Sequence, residues 1–279
     1  MFQNSPFRGR PSTHPWLWWT QTLSARAKGH GGQVTKHSLP FGVLVVLIAL
    51  TLSTCGGGTA GGGEHEQAKG RPLPKFEQAS LPEGRYHTTE FEPSFSFRIT
   101  GDDWIFGGPS GALGDPERSD YLFIEKVPSG QIAFFNLQKV KGIYKPKGPT
   151  GAIEPVPTPD ELVDWFRHNP YLKTSEPEPA SVGGAKGVQF DVVLPRSRPV
   201  NHKGICGGTG CLDVFKLSTG GSSEIFGFFH EYEKKEHYII LKDVKGVPVV
   251  IAYNDETDVY EEFVPVAKKV LKSVEWTDN

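Results

Sequence analysis

HYIILKDVKGVPVVIAY, residues 237–253, is the stretch whose reading decides the fold. Two runs rich in Ile, Val and Tyr stand on either side of Lys245-Gly246, a turn pair. β-branched and aromatic residues suit a pleated, packed surface, so His237 to Leu241 and Val247 to Tyr253 read as neighbouring antiparallel strands. Upstream, Ile225 to Tyr232 is another such run, joined to them by the charged turn EKKE at Glu233 to Glu236. The stretches together predict a meander.

Working outward, the same period recurs. Val188, Phe190, Val192 and Leu194 alternate in KGVQFDVVLP, and Leu212 to Leu217 is a further short strand. Tyr121 to Lys126 and Gln131 to Val140 flank the turn VPSG and read as a hairpin. Phe95, Phe97 and Ile99 alternate in PSFSFRIT, which places them on one face of a half-buried strand, and Trp104 follows the turn pair Asp102-Asp103.

Helical signals are fewer. TPDELVDWFRHNP, Thr158 to Pro170, carries an N-cap threonine, a proline at the first helical position and Glu161 to complete a capping box. Leu162, Trp165 and Phe166 at i, i+3 and i+4 give that helix one apolar face, and Asn169-Pro170 ends it. A last helix, about Asp258 to Lys272, offers Phe263, Val266, Ala267, Val270 and Leu271, with Pro265 predicting a kink or a start close to it. Strands without alternating βα repeats, and helices set apart from them, predict an α+β domain over residues 83–277: a mostly antiparallel sheet packed by helices.

Charge is divided unevenly along the 279 residues. Met1 to Cys55 holds five basic residues (Arg8, Arg10, Arg26, Lys28, Lys36) and no acidic one, so the remainder has 25 Lys and Arg against 32 Asp and Glu. A folded part with that acidic balance lacks the footprint of a polyanion binder, which argues against nucleic acid as a partner.

Phe41 to Leu52, FGVLVVLIALTL, is uncharged and twelve residues long. A helical span needs about 20 residues, whereas a signal-peptide h-region needs 7 to 15, roughly. The four residues Leu52-Ser53-Thr54-Cys55 that follow resemble the lipobox of bacterial lipoproteins. That resemblance implies a diacylglyceryl thioether on Cys55, cleavage before it and residence at the extracytoplasmic face of the cell membrane. The alternative is a signal anchor that keeps residues 41–52. Cys55 lies far from Met1 for a signal peptide, and initiation at Val34 would make residues 34–54 the signal and 1–33 an extension outside the mature protein. Residues 55–82, opening GGGTAGGGEHEQAKGRPLP from Gly56, have the composition of a flexible tether.

The folded part carries a second resemblance. Trp104, TPDELVDWFRHNP, SVGGAKGVQFDV (Ser181 to Val192), LKDVKGVPVVIAYN and VAKKVLKSVEW are similar to secreted bacterial lipoproteins of the LpqN type, which are related to the PsbP fold of photosystem II. The resemblance implies an antiparallel sheet between helices and association with the cell envelope. It implies no catalytic residue.

Candidate chemistry is sparse. Cys206 and Cys211 in CGGTGC read as a disulfide closing a small loop outside the membrane, and His202 leaves a Cys₂His zinc site as the alternative. HEYEKKEH, His230 to His237, spaces its histidines too widely for the helical zinc-protease pattern and reads as a solvated charged turn. GGPSGALG, Gly107 to Gly114, fits neither a nucleophile elbow around Ser110 nor a phosphate loop. The acid pairs Asp102-Asp103 and Glu261-Glu262 suit turns and solvated helix faces. No catalytic residue, metal ligand or cofactor emerges. The expectation is a non-enzymatic envelope lipoprotein that contacts the membrane through its anchor and binds a protein or small apolar ligand, with Phe228, Phe229, Tyr232 and Tyr238 as a recognition face or as core. The competing expectations are a hydrolase using His230 with Glu231 or Glu233, and a structural spacer.

Overall fold

Both faces of the 237–253 hairpin are buried, and this organises the rest of the chain. The computed structural model describes residues 70–74, 79–88, 91–108, 121–128, 130–146, 152–197, 211–217, 227–255 and 259–277, with the backbone alone for 227–230. The N-terminal calls on 1–33, 34–54 and Cys55 lie outside these residues, as do Ser110, His202 and Cys206.

The central sheet contains β2 (Ala79–Ser80), β5 (Trp104–Gly108), β6 (Tyr121–Lys126), β7 (Gln131–Asn136), β10 (Lys173–Thr174), β11 (Glu178–Val182), β12 (Ala185–Val193), β15 (Lys235–Val244) and β16 (Val247–Asp255). Its order is β10-β12-β15-β16-β7-β6-β5-β2, with β11 paired to β12, and its pairs are antiparallel. A small sheet on one side joins β1 (Arg71–Pro72), β3 (Gly84–His87), β4 (Phe95–Ile99) and β17 (Glu275–Trp276). Another joins β8 (Gly142–Tyr144), β9 (Ile153–Glu154), β13 (Cys211–Lys216) and β14 (Gly227–Glu231) in the order β14-β13-β8-β9. The helices are α1 (Pro159–His168) and α2 (Tyr260–Lys272). The architecture is α+β with a mostly antiparallel sheet, as the periodicity predicts.

Side chains alternate across a strand, so adjacent residues of β15 enter different cores. Ile239 and Leu241, with Ile251 and Tyr253 of β16, pack against Phe263, Ala267 and Val270 of α2 and the Phe95, Phe97 and Ile99 stripe of β4. Tyr238 and Ile240, with Val250 and Ala252, pack against Leu162 and Phe166 of α1 and Leu212, Val214 and Phe215 of β13. Aromatic pairs join the layers: Phe95 to Phe134 at 4.6 Å, Phe166 to Tyr238 at 4.5 Å and Phe135 to Phe215 at 5.1 Å between ring centroids. Each such buried ring contributes about 1.5–3 kcal/mol from area alone.

The helix termini follow local chemistry. Thr158 accepts from the Glu161 N–H while the Glu161 carboxylate accepts from the Thr158 N–H, the reciprocal capping box. α2 begins at Tyr260 and contains Pro265 inside it, so the proline does not delay its start.

The meander does not form as expected. β14 pairs with β13, Leu212 opposite His230, while β15 pairs with β12 and β16. β12 occupies the edge of β15 that the meander assigns to β14. The chain changes sheets at Tyr232 to Lys234: Tyr232 bridges Leu194, and Glu233, at φ 62°, donates its N–H to the Leu194 carbonyl at 3.0 Å. The EKKE segment is accordingly no solvated turn, because Lys235 and Glu236 already belong to β15. Glu236 is 1% exposed, its carboxylate accepting from Tyr238 Oη at 2.5 Å and Asn254 Nδ2 at 3.3 Å. Pairing also begins before residue 83: β1 and β2 lie within the expected tether, held by buried Leu73 and Leu81.

Candidate functional site

Two places in the described residues combine polar chemistry with a shaped environment. The first is on the α2 face of the central sheet. Asp191 of β12 stands directly opposite His237 of β15, so their side chains emerge on one face of a cross-strand pair. His237 Nδ1 is 2.7 Å from Asp191 Oδ1, and because a carboxylate only accepts, Nδ1 carries the proton. Nε2 is 3.3 Å from Gln189 Oε1, and the ring stacks on Tyr253 with centroids 4.7 Å apart. The other Asp191 oxygen receives Lys235 Nζ at 3.0 Å, and Tyr260 Oη donates to Oδ1 at 3.4 Å. Lys235 reaches Glu261 at 3.3 Å and lies 4.7 Å above the Tyr260 ring.

These contacts set the protonation states. The His237 hydrogen bond, against the opposing effect of burial and with help from Lys235, holds the Asp191 carboxyl down at about 2. Burial, reinforced by the Asp191 charge, pushes the Tyr253 and Tyr260 phenols well up. Burial alone would lower the Lys235 ammonium, but its bonds to Asp191 and Glu261 outweigh that and raise it. The Asp191 carboxylate is saturated, since three donors share it. Chemically it holds the first turn of α2 to the sheet. No three His, Cys, Asp or Glu among the described residues are arranged to hold a metal ion.

The second place is a groove of about 510 Å³ between the chain leaving β9 and the exposed side of α1, lined by Glu154, Pro155, Val156, Pro157, Glu161 and Trp165. The capping box fixes where α1 starts, and Trp165, one turn after Glu161, then falls on the same side of the helix. Leu162 and Phe166 are buried on the other side against the sheet. Trp165 meets Phe166 edge-on at 5.0 Å, and its covered Nε1–H has no hydrogen-bond partner. Glu161 Oε2 accepts from the Thr158 N–H at 2.9 Å and its hydroxyl at 2.8 Å, which holds this carboxyl below its ordinary range.

Those of the residues singled out in the sequence whose side chains are described do not converge. Cys211 opens β13 and is 1% exposed, but Cys206 and His202 lie outside the described residues. Glu231 pairs with Lys234 at 2.8 Å, and Glu233 Oε1 accepts from the Arg196 N–H at 2.8 Å. His230, Phe228 and Phe229 are described by backbone only. Tyr238 is fully buried and therefore core, not recognition face, while Tyr232 is half-buried. His237 is 9% exposed rather than solvated. Asp191, Gln189, Glu154 and the role of Trp165 are absent from the sequence reading. The one available signal was that Gln189 and Asp191 fall on the polar positions of an alternating strand, which alternation alone assigns to solvent.

No family model matches this chain, and no curated protein sequence does. Among solved structures, cyanobacterial PsbP (CyanoP) from Synechocystis sp. PCC 6803 aligns at 9% identity and a TM-score of 0.35, covering 74% of this chain and 99% of that one. LpqN of Mycobacterium tuberculosis, described as involved in cell envelope biogenesis, aligns at 10% identity and a TM-score of 0.28, covering 72% of this chain and 91% of its own. Likenesses this distant carry no argument about what the present chain does. No helix among the described residues is long and apolar enough to cross a membrane.

Proposed function

We propose that this chain is a cell-envelope lipoprotein, anchored by a lipidated Cys55 at the extracytoplasmic face of the membrane, whose folded part is a non-enzymatic binding module. The observation that carries the binding role is the groove between Glu154–Pro157 and α1. It combines an indole wall, two prolines and two carboxylates, a mixed apolar and acidic surface that can hold a ligand. The Asp191 cluster supports the same reading, since its groups are committed to one another.

The anchor rests on the uncharged run Phe41 to Leu52 and the lipobox-like Leu52-Ser53-Thr54-Cys55. Two acyl chains would make the attachment stable, each buried CH₂ adding about 0.8 kcal/mol. A Cys206–Cys211 bridge belongs to this reading and would close the loop that enters β13, where Cys211 is already buried. Intact-mass measurement on protein purified from membranes, before and after reduction, is the test. A chain beginning at diacylated Cys55 that gains two hydrogens on reduction is the expected result. An unmodified chain that retains residues 41–52 overturns the anchor, and an unchanged mass on reduction overturns the bridge.

A further inference from the structure

We infer that the groove beside α1 binds a cationic side chain, an arginine presented by an extended peptide of a partner protein. The inference rests on the groove being the contact site and names what it takes.

The lining side chains offer two carboxylates as acceptors and a single donor. Pro155 and Pro157 have no backbone N–H, and the Glu161 N–H is directed to Thr158 Oγ. The one donor among the lining side chains, Trp165 Nε1–H, is covered from solvent. Against this stand the carboxylates of Glu154 and Glu161. Thr158 engages Oε2 of Glu161 and keeps the group ionised, leaving its charge unneutralised. Neither glutamate has an ion-pair partner among the described residues, whereas neighbouring Asp160 is already taken by Lys242 Nζ at 2.6 Å.

An anionic ligand would face two like charges there. A guanidinium is the complement: five N–H donors, no acceptor, a planar face that stacks on an indole and a weakly held hydration shell. The prolines and Val156 provide an apolar bed for the methylene stem of the same side chain. Approach from a peptide is open because β9 is an edge strand, with Ile153 at its start 37% exposed.

The test uses the full chain in detergent micelles, labelled with 5-fluorotryptophan, and follows the ¹⁹F signal of Trp165, assigned as the one lost in Trp165→Phe. The probes are Ac-Ala-Arg-Ala-NH₂ and its Lys, Leu and Glu counterparts. The arginine peptide should shift the Trp165 signal saturably, the lysine peptide more weakly, and the other two not at all. Glu154→Gln and Glu161→Gln should each weaken arginine binding about two- to fivefold, the size of an exposed ion pair. Glutamine also completes a capping box, so Glu161→Gln removes the charge and keeps the helix start. Asp164→Asn, the same charge change on α1 outside the groove, should leave binding unchanged. Equal shifts from the leucine or glutamate peptide, or binding indifferent to both glutamine variants, overturn the cationic assignment and leave the groove as a contact site. A Trp165 signal that no probe moves overturns the groove itself.

Discussion

Asp191 and His237 face each other across β12 and β15 with Oδ1 and Nδ1 2.7 Å apart, and this pair is the polar fastening of the α2 face. Through Tyr260 and Lys235 it also holds the first turn of α2, which has no side-chain N-cap of its own at Val259. A charge-assisted bond between strands thus does for α2 what the capping box does for α1: it fixes where the helix meets the sheet.

Acid should loosen this fastening. The Asp191 carboxyl is held at about 2 in the folded chain, below the unfolded value, so its contribution is present above about pH 4 and is lost as pH falls through that window. After discounting for its partial exposure to solvent, the contribution is about 1–2 kcal/mol. Asp191→Asn should therefore lower stability at neutral pH by about that amount and flatten the acid limb of the stability curve. Urea unfolding between pH 2 and 7 checks both, and an unchanged acid limb in the variant would refute the assignment.

Alkali acts on the opposite group. Burial pushes the Tyr144 phenol up to about 12 and raises Tyr238, Tyr253 and Tyr260 as well. A folded pKa above the unfolded one contributes stability that is intact below about pH 10 and lost above it, because only the unfolded chain releases the proton there. Tyrosinate absorbance from these residues should rise together with loss of near-ultraviolet circular dichroism. Complete ionisation with the dichroism intact would contradict the burial.

The capping box separates two substitutions at α1. Thr158→Ala removes the acceptor for the Glu161 N–H and should cost about 1 kcal/mol, while Glu161→Gln should cost much less. Thermal unfolding of the two variants side by side decides this, with equal losses as the contrary result.

Gly187 marks the close approach of β12 to β15. A Cβ there would overlap the Ile240 carbonyl oxygen and the backbone of Leu241, which cannot swing aside as a flexible side chain would. Gly187→Ala should destabilise by more than about 2 kcal/mol, the reverse of the usual gain of a fraction of a kcal/mol when alanine replaces glycine in a strand. Denaturant unfolding measures it, and an unchanged or increased stability would mean that the strands tolerate a wider spacing.

The sequence by itself determined the pieces whose causes are local. α1 starts and stops where Thr158, Pro159, Glu161 and Asn169 place it, because a cap is satisfied within a few residues. The strands at Phe95–Ile99, Tyr121–Lys126 and Val247–Asp255 follow from apolar residues at the spacing of a pleated chain. The tertiary structure alone decided which strand lies beside which, so β14 joined β13 and left β15 to β12. Every edge offers the same backbone N–H and C=O groups, and the choice between partners depends on which faces both arrangements can bury. It also decided the chemistry of the α2 face. Asp191 and His237 are 46 positions apart, and only the register of β12 on β15, covered by α2, turns two polar strand residues into a buried pair.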